Sequence, residues 1–432
     1  HLELENAEIA WHEEAHNYTA FGLMRPLEPG ERLELTFAAT SDNPGFRNSN
    51  NQTSVVDNGT FFNSFEAAPS IGFTRTWMLT DRQERREHGL EAVDRLPPLE
   101  DERARRNSYL RSDSDWINFE TVVSTVPEQI AVAPGYLQRE WQENGRRYFH
   151  YKMDAPIQNF FSYLSADYQV ASGKWNDVDI SVYYDSAHPY NVDRMIEGVE
   201  HSLEYFSREF SPYQYRQVRI LEFPAYATFA QSFPNTSPYS ESIGFVADID
   251  EEDIDYVFYV TAHEVAHQWW AHQVMGANTQ GGTVVVETLA QYSALMVMEE
   301  KYGPQVMRRF LQYELDRYLS NRGSEAVAEM PLMRVENQGY IHYRKGSLVM
   351  YALKDYLGED AVNRALRKLI DNHAYRFQPY TTSLDLIRYL REEATSQEQQ
   401  DLITDLFERI VLFDLKVTDA SVEERDDGRH EV

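Results

Sequence analysis

Residues 261–270 read Thr-Ala-His-Glu-Val-Ala-His-Gln-Trp-Trp, and this stretch is the most informative part of the sequence. We predict that it forms one helix, on which His263 and His267, four residues apart, share a face. Both imidazoles can then reach a single metal ion, and Glu264 is placed to act on a water molecule at that metal. The pattern predicts a site for metal-assisted hydrolysis.

Glu287 is the predicted third metal ligand. It stands near the start of residues 284–298, whose apolar residues recur at helical spacing. A helix packed against the first could direct this carboxylate at both histidines and leave a fourth position open for water. The alternative is a solvated carboxylate in an N-terminal helical turn, which the helix dipole favours. His272 is excluded as a ligand, because it lies roughly 140° around the helix from His267.

The composition limits the classes of function. With 432 residues and 42% hydrophobic residues, the chain is too long for one compact core and suggests two or three domains. Its 40 basic and 70 acidic residues give a net charge of -30, which argues against nucleic-acid and anionic-lipid partners. Proteins from salty habitats share such surfaces. Cysteine is absent, which excludes disulfides and thiolate chemistry and leaves the compartment undetermined.

An α+β multidomain fold is expected from three zones along the chain. Residues 1–175 contain short alternating segments between turn signals, which predicts a β-rich domain built as a sandwich or saddle. Residues 176–410 begin with strands around a helix near 191–210 and become mainly helical, which predicts an α/β catalytic domain. Residues 411–432 are expected to begin a further, truncated β domain.

Individual elements can also be predicted from the apolar spacing. Residues 80–114 are dense in arginine and carboxylates and are expected to form a solvated excursion with a short helix. The predicted strands are 31–37, 147–153, 164–170, 178–184, 217–223 and 410–419, and the predicted later helices are 283–302, 304–320, 340–357, 359–373 and 382–394.

Four blocks of the sequence resemble the membrane alanyl aminopeptidase family of gluzincin zinc peptidases, which also contains leukotriene hydrolase. They follow the family's order, and the resemblance covers nearly the whole chain, which implies a β-rich domain followed by a thermolysin-like catalytic domain. The blocks are Tyr239-Ser-Glu-Ser-Ile-Gly-Phe245 (a degenerate G-A-M-E-N-x-G-L), His263-Glu-Val-Ala-His-Gln-Trp-Trp270, Glu287-Thr-Leu-Ala-Gln-Tyr292 (N-E-G-F-A-E-Y) and Tyr343-Arg-Lys-Gly346 (Y-E-K-G).

The resemblance implies a zinc-dependent aminopeptidase with one Zn²⁺ per chain, held by both histidines and Glu287. Glu264 would act as the general base. Tyr343 would donate its phenol to the oxyanion of the tetrahedral intermediate. The alternative phenol is Tyr340, one helical turn earlier, because the chain has 28 tyrosines and most must be packing or surface residues.

The choice between exopeptidase and endopeptidase depends on Glu241. The resemblance implies that its carboxylate binds the free α-amino group of a peptide substrate, with Glu66 as a second anchor. The alternative for Glu241 is a surface residue in a turn. The spacing from His267 to Glu287 is one residue longer than is usual in the family, and the loop 276–282 is expected to hold the extra residue.

With these departures from the family pattern, the sequence is similar to the peptidase halves that are fused to bacterial transporter permeases. The resemblance therefore implies covalent attachment to a membrane permease region outside this sequence. Two other functions stay open: a catalytically weak or inactive peptidase-like module that binds or gates for a membrane transporter, and a hydrolase for a non-peptide substrate.

Overall fold

The computed structural model describes residues 1–43, 45, 53–57, 59–72, 78–93, 95–250, 253–325, 327–412, 418–425 and 429–431. The fold is α+β, as predicted, with strands predominating up to residue 184 and helices from residue 256 to 408. The strands are β1 (Leu2–Leu4), β2 (Ala7–Glu13), β3 (Tyr18–Leu23), β4 (Leu35–Phe37), β5 (Val55–Val56), β6 (Gly59–Asn63), β7 (Trp116–Ile117), β8 (Glu120–Thr125), β9 (Ile130–Val132), β10 (Tyr136–Glu143), β11 (Arg146–Lys152), β12 (Ile157–Gln158), β13 (Ser162–Ala166), β14 (Gln169–Trp175), β15 (Val178–Tyr184), β16 (Gln217–Phe223), β17 (Thr236–Ser240), β18 (Glu423–Glu424) and β19 (His430–Glu431).

The helices agree closely with the apolar spacing of the sequence. Those predicted near 191–210 and over 359–373 are found with ends that differ by at most one residue. The α-helices are α1 (Ser64–Ala67), α2 (Arg82–Glu87), α3 (Val192–Glu209), α4 (Tyr256–Ala266), α5 (Leu289–Tyr302), α6 (Pro304–Ser324), α7 (Gly346–Leu357), α8 (Glu359–His373), α9 (Ser383–Glu393) and α10 (Gln397–Ile403). Turns of π-helix cover Glu241–Phe245, Val284–Thr288, Tyr340–Lys345 and Thr404–Glu408.

The N-terminal strands form antiparallel sheets, of which the largest have the orders β5-β6-β13-β9 and β10-β11-β8. Alternate residues of β11 turn inward, so that Phe149 and Tyr151 are buried in an apolar cluster. A second cluster joins Leu164 of β13 to Leu221 and Phe223 of β16. The β-rich zone therefore packs directly on the sheet of the following zone.

That following sheet has the order β14-β15-β16-β17. β14 and β15 form an antiparallel hairpin, whereas β15, β16 and β17 are parallel. The parallel pairing of β15 with β16 requires a crossover, and α3 supplies it. Because β14 belongs to this sheet, the hydrogen bonding does not break at residue 175. The predicted domain bounds stay a prediction.

The helix that carries the two histidines, α4, lies at the centre of the helical zone. It contacts α3 on one side and α5 on the other. Gly198 permits the close approach of α3, because a Cβ atom at this position would lie 2.9 Å from Thr261 Cγ2. Trp269 and Trp270, which follow the motif, are completely buried in the main apolar cluster. α4 is therefore held rigidly on several sides.

The prediction of a solvated excursion over residues 80–114 is wrong for its second half. α2 is the expected short helix, but the segment from residue 96 to 115, which we call the strap, is anchored in the protein. Leu99 is 1% exposed. Charged strap residues have partners on the helical zone, among them Arg105 with Asp385 and Glu100 with Arg334. Charge density misled the prediction because these charges are paired across the fold.

Three strand predictions also need correction. Residues 164–170 span two strands, since β13 ends at Ala166 and β14 starts at Gln169. Only the last three residues of 31–37 form a strand, β4. In the predicted strand 410–419, residues 410–412 and 418–419 are not in a strand, and residues 413–417 lie outside the described part of the chain. In the described residues, no helix is long and apolar enough to cross a membrane.

Candidate metal centre

α4 presents His263, Glu264 and His267 on one buried surface. The helix starts where the side chain of Asp255 accepts a hydrogen bond from Phe258 N, at 3.0 Å. It ends at Ala266, but His267 keeps a right-handed helical backbone, and its N–H donates to His263 O at 3.2 Å. The two histidines therefore stay one helical turn apart, as predicted.

Glu287 completes a three-residue cluster with the histidines. It lies in the π-helical turn Val284–Thr288, directly before α5. The Nε2 atoms of the two histidines are 3.0 Å apart. Glu287 Oε2 lies 3.7 Å from His263 Nε2 and 3.4 Å from His267 Nε2. Zinc bonds of about 2.0–2.1 Å place the corners of a tetrahedron about 3.3–3.4 Å apart. The donor set and its dimensions fit a zinc ion.

The hydrogen bonding of His267 also fits a metal site. His267 Nδ1 lies 3.0 Å from Trp270 O, a contact that fixes the proton on Nδ1 and leaves Nε2 free to bind a metal. Burial raises the pKa of Glu287, but the neighbouring His267 and His263 lower it by more, so that the pKa lies well below its usual range. Within the described residues, neither lysine nor arginine pairs with this buried carboxylate. A bound cation would provide the missing positive charge.

Glu264 lies beside this cluster without contributing to it. Its residue is 5% exposed, and its Oε2 atom has no hydrogen-bond partner among the residues described. Burial raises the pKa of its carboxyl group to about 7. A carboxylate with a pKa near neutrality is suited to accepting and returning a proton.

Of the two candidate tyrosines, the structure brings Tyr343 to the metal ligands. The Tyr343 ring centroid is 5.9 Å from that of His263, and the charge of Glu287 acts on the Tyr343 phenol. Tyr340 instead stacks on Tyr318, with the ring centroids 6.2 Å apart. The π-helical turn Tyr340–Lys345 thus points its two tyrosines in different directions.

Gly346 allows the Tyr343 turn to lie against the Glu287 turn. A Cβ atom on Gly346 would lie 2.5 Å from Thr288 Oγ1 and 2.7 Å from Thr288 Cγ2. The same hydroxyl donates a hydrogen bond to His342 O at 2.6 Å. The glycine of Tyr343-Arg-Lys-Gly346 therefore has a steric role at this crossing.

Glu241 lies in a second cluster, where its carboxylate is within 4.8 Å of ligand atoms of His188 and Glu222. Glu222 and Glu241 line a small cavity at the end of β17. The phenol of Tyr239, two residues before Glu241, donates to Val260 O of α4 at 3.4 Å and is influenced by the charge of Glu264. The end of β17 thus runs beside the helix that carries the metal ligands.

Glu66 has a local structural contact. Its carboxylate accepts a hydrogen bond from Asn63 N at 3.4 Å and forms a capping box at the start of α1. Its role as a second substrate anchor stays a prediction. His272 is confirmed as lying outside the metal cluster, because its Nε2 lies 3.1 Å from Ser232 O and burial lowers its pKa to about 4.

Two residues near the site were not found from the sequence. Tyr109, on the strap, is brought there by hydrogen bonds that join Tyr109 N to Gly276 O and Asn278 N to Asn107 O. The charge of Glu287 acts on the phenol of this half-buried tyrosine. His342 packs its ring 4.4 Å from that of Tyr343. The position of His342 directly before the Tyr343 block was a signal for it, whereas no local pattern distinguishes Tyr109.

Comparisons with known proteins agree with this geometry. A sequence model of the peptidase family M1 domain matches residues 194–409. Endoplasmic reticulum aminopeptidase 2 of Homo sapiens is 23% identical over 248 residues, which are 54% of this chain and 25% of that protein. This chain thus spans about a quarter of the length of that relative.

Solved structures share the fold. An M1 zinc metallopeptidase from Deinococcus radiodurans and a point mutant of it superpose with TM-scores of 0.54 and 0.55, each at 16% sequence identity. The matched regions cover 69% and 70% of this chain, and 66% and 67% of those chains.

Proposed function

Because this chain belongs to peptidase family M1, we propose that it is a zinc-dependent aminopeptidase, which removes the N-terminal residue of peptides. The observation that carries the proposal is the buried cluster of His263, His267 and Glu287, with Glu264 beside it. Within this proposal one zinc ion is bound per chain by those three ligands. The intact Glu264 and Tyr343 weigh against an inactive binding or gating module. Attachment to a permease stays a prediction.

Each side chain has a definite task in hydrolysis. A bound zinc ion would supply Lewis-acid polarisation of the scissile carbonyl and lower the pKa of water. Glu264 takes a proton from the attacking water and returns it to the leaving amine, for which its raised pKa is suited. Tyr343 donates its phenolic hydrogen to the carbonyl oxygen as negative charge develops there.

The surroundings of Glu241 support the preference for a free N-terminus. In the described part of the chain, no lysine or arginine forms an ion pair with Glu241, so its carboxylate is available to a substrate cation. Glu222 in the same cluster adds a second carboxylate, although it already accepts hydrogen bonds from Asp185 N and contacts His188. An α-ammonium group at this position would form a charge-assisted hydrogen bond.

The test combines metal content with turnover of matched substrates. We expect about one zinc per chain by elemental analysis, and cleavage of fluorogenic aminoacyl amides that stops when their α-amino group is acetylated. Glu264→Gln should keep the zinc and lose nearly all turnover, because an amide cannot accept the proton.

Two further substitutions test the preference for a free N-terminus. Glu241→Ala should raise KM for free substrates and reduce the preference for free over acetylated ones, and Glu66→Ala should do so more weakly. If the wild type cleaves acetylated and free substrates equally well, the protein is an endopeptidase and the aminopeptidase proposal is wrong. If zinc is retained without any peptide cleavage, the module that only binds or gates becomes the better explanation.

A further inference from the structure

Glu314, in the middle of α6, is a charged residue that is completely buried. Its Oε1 atom accepts hydrogen bonds from Arg344 Nη1 at 2.6 Å, and from Tyr259 OH and Gln291 Nε2 at 3.4 Å each. Its Oε2 atom accepts one from Ser347 Oγ at 3.3 Å. Burial of a carboxylate is costly, and four donors from four other elements compensate for it here.

Three of the four donors come from the elements at the metal centre. Tyr259 lies on α4, one helical turn before His263, and Gln291 lies on α5, one turn after Glu287. Arg344 is the residue next to Tyr343 in the π-helical turn. Glu314 therefore connects the helix of the two histidines, the helix that directly follows the Glu287 turn, and the turn that carries Tyr343. No other side chain in the described residues is hydrogen-bonded to all three of these elements.

The link to Arg344 is the shortest of these contacts and is the only ion pair among them. The family pattern Y-E-K-G has a glutamate where this chain has Arg344, so the sign of the charge is reversed here. Glu314 provides the matching negative charge from α6. An arginine held by a buried carboxylate has little freedom, and the backbone of its neighbour Tyr343 is restrained with it.

We propose that Glu314 is a positioning residue, which fixes the Tyr343 phenol relative to the metal ligands through Arg344. The inference rests on the proposed function, in which Tyr343 stabilises the oxyanion. A displacement of about 1 Å at a donor of this kind can reduce turnover by on the order of 10²-fold. Glu314 itself does not touch the substrate.

The decisive experiment is a double-mutant cycle of Glu314→Gln with Tyr343→Phe. Glutamine keeps the shape of the side chain but removes the charge that holds Arg344. We expect Glu314→Gln alone to lower kcat by about 10- to 100-fold, with zinc retained and KM changed less than about threefold. In the Tyr343→Phe background it should lower kcat no further, whereas the loss in Tm should be equal in both backgrounds.

Glu329→Gln is the matched control. Glu329 is another buried carboxylate bound to the same turn, where its Oε1 accepts from Lys345 Nζ at 2.7 Å, and its Oε2 accepts from Arg322. Its loss should lower Tm but leave kcat near the wild-type value. Equal kcat losses in both variants, or an undiminished effect of Glu314→Gln without the Tyr343 phenol, would show a purely structural role and overturn the proposal.

A second measurement separates this inference from the proposed function. In the metal-free protein with ¹³C-labelled tyrosines, the Tyr343 ring signal can be assigned by its absence in Tyr343→Phe. Glu314→Gln should shift this signal and Glu329→Gln should not; an unmoved signal in Glu314→Gln overturns the inference. If the zinc-loaded wild type cleaves no peptide, the proposed function fails, but this spectrum still decides whether Glu314 positions Tyr343.

Should Glu314→Gln fail to fold, Arg344→Lys tests the same link. Lysine keeps the positive charge but lacks the planar guanidinium group. A shift of the Tyr343 signal and a fall in kcat that depends on the Tyr343 phenol are again expected. Unchanged values of both would contradict the proposal.

Discussion

At the scale of single residues, one helical turn separates two tyrosines with different surroundings. Tyr343 lies against His263, whereas Tyr340 stacks on Tyr318 with its hydroxyl buried and, within the described chain, without a hydrogen-bond partner. A phenol can stabilise developing negative charge only if it points at the reacting carbonyl. Of these two tyrosines, only Tyr343 lies beside the cluster of His263, His267 and Glu287.

We therefore expect Tyr343→Phe to lower kcat by on the order of 10²-fold or more, with a smaller effect on KM, because the phenol acts mainly in the transition state. Tyr340→Phe is the control and should keep kcat while changing Tm only slightly. Steady-state kinetics on a free aminoacyl amide measures both. A wild-type kcat in Tyr343→Phe, or a large loss in Tyr340→Phe, would show that the phenol is wrongly assigned.

The three residues of the buried cluster could be predicted to lie together because each belongs to a short local pattern. His263 and His267 lie one turn apart, and this spacing needs no knowledge of the tertiary fold. Tyr109 and Glu314 could not be found in this way, since their partners lie more than 20 residues away along the chain. Nothing in the local sequence distinguishes a buried glutamate on a helix from an exposed one.

At the scale of elements, three predicted site residues lie in turns of π-helix. Glu241, Glu287 and Tyr343 occupy such turns, which are rare and occur frequently at functional sites. Apolar spacing predicted helices that include Glu287 and Tyr343 but not the π-helical turns, because five or six residues are too few to separate a period of 3.6 from a longer one. The anchoring of the strap was also not predicted, because the partners of its charged residues lie far away along the chain.

The crossing of two of these turns gives a prediction for Gly346. Gly346→Ala should lower Tm and kcat together, because its Cβ would force the Tyr343 turn away from Thr288. Overpacking of this kind costs about 1–3 kcal/mol. Thermal unfolding and kinetics of the purified variant measure the two effects.

Gly323→Ala is the matched control for that substitution. Gly323 lies in α6, and a Cβ atom there would meet no atom within 4 Å. Because alanine is the better helix former, this variant should be as stable as the wild type or more stable by about 0.5–1 kcal/mol. If both variants behave alike, steric contact at Thr288 is not the reason for Gly346.

At the scale of the whole molecule, the excess of acidic residues should weaken the folded state when little salt is present. The net charge of -30 is confined to one folded chain, and such charges repel one another. The fold class, by contrast, followed from the order of strands and helices and not from charge. Composition therefore bears on stability and solubility here more than on architecture.

We expect Tm to rise by several degrees as NaCl increases from about 0.01 M to about 0.2 M, because the Debye length falls from about 30 Å to less than 10 Å. Calorimetry at fixed pH measures the change. Sodium perchlorate is the control for effects other than screening, and it should give the same rise over this range. A constant or falling Tm in both salts would show that repulsion does not limit stability.

The strap has a consequence for how the protein can be divided. Its backbone pairs with residues 276–278, between the two histidines and Glu287, and it contributes Tyr109 to their surroundings. A fragment that begins at residue 176 would keep all three metal ligands but leave these backbone groups without their partners. Recombination or truncation at that boundary would therefore separate the cluster of His263, His267 and Glu287 from a part of the chain that lies against it.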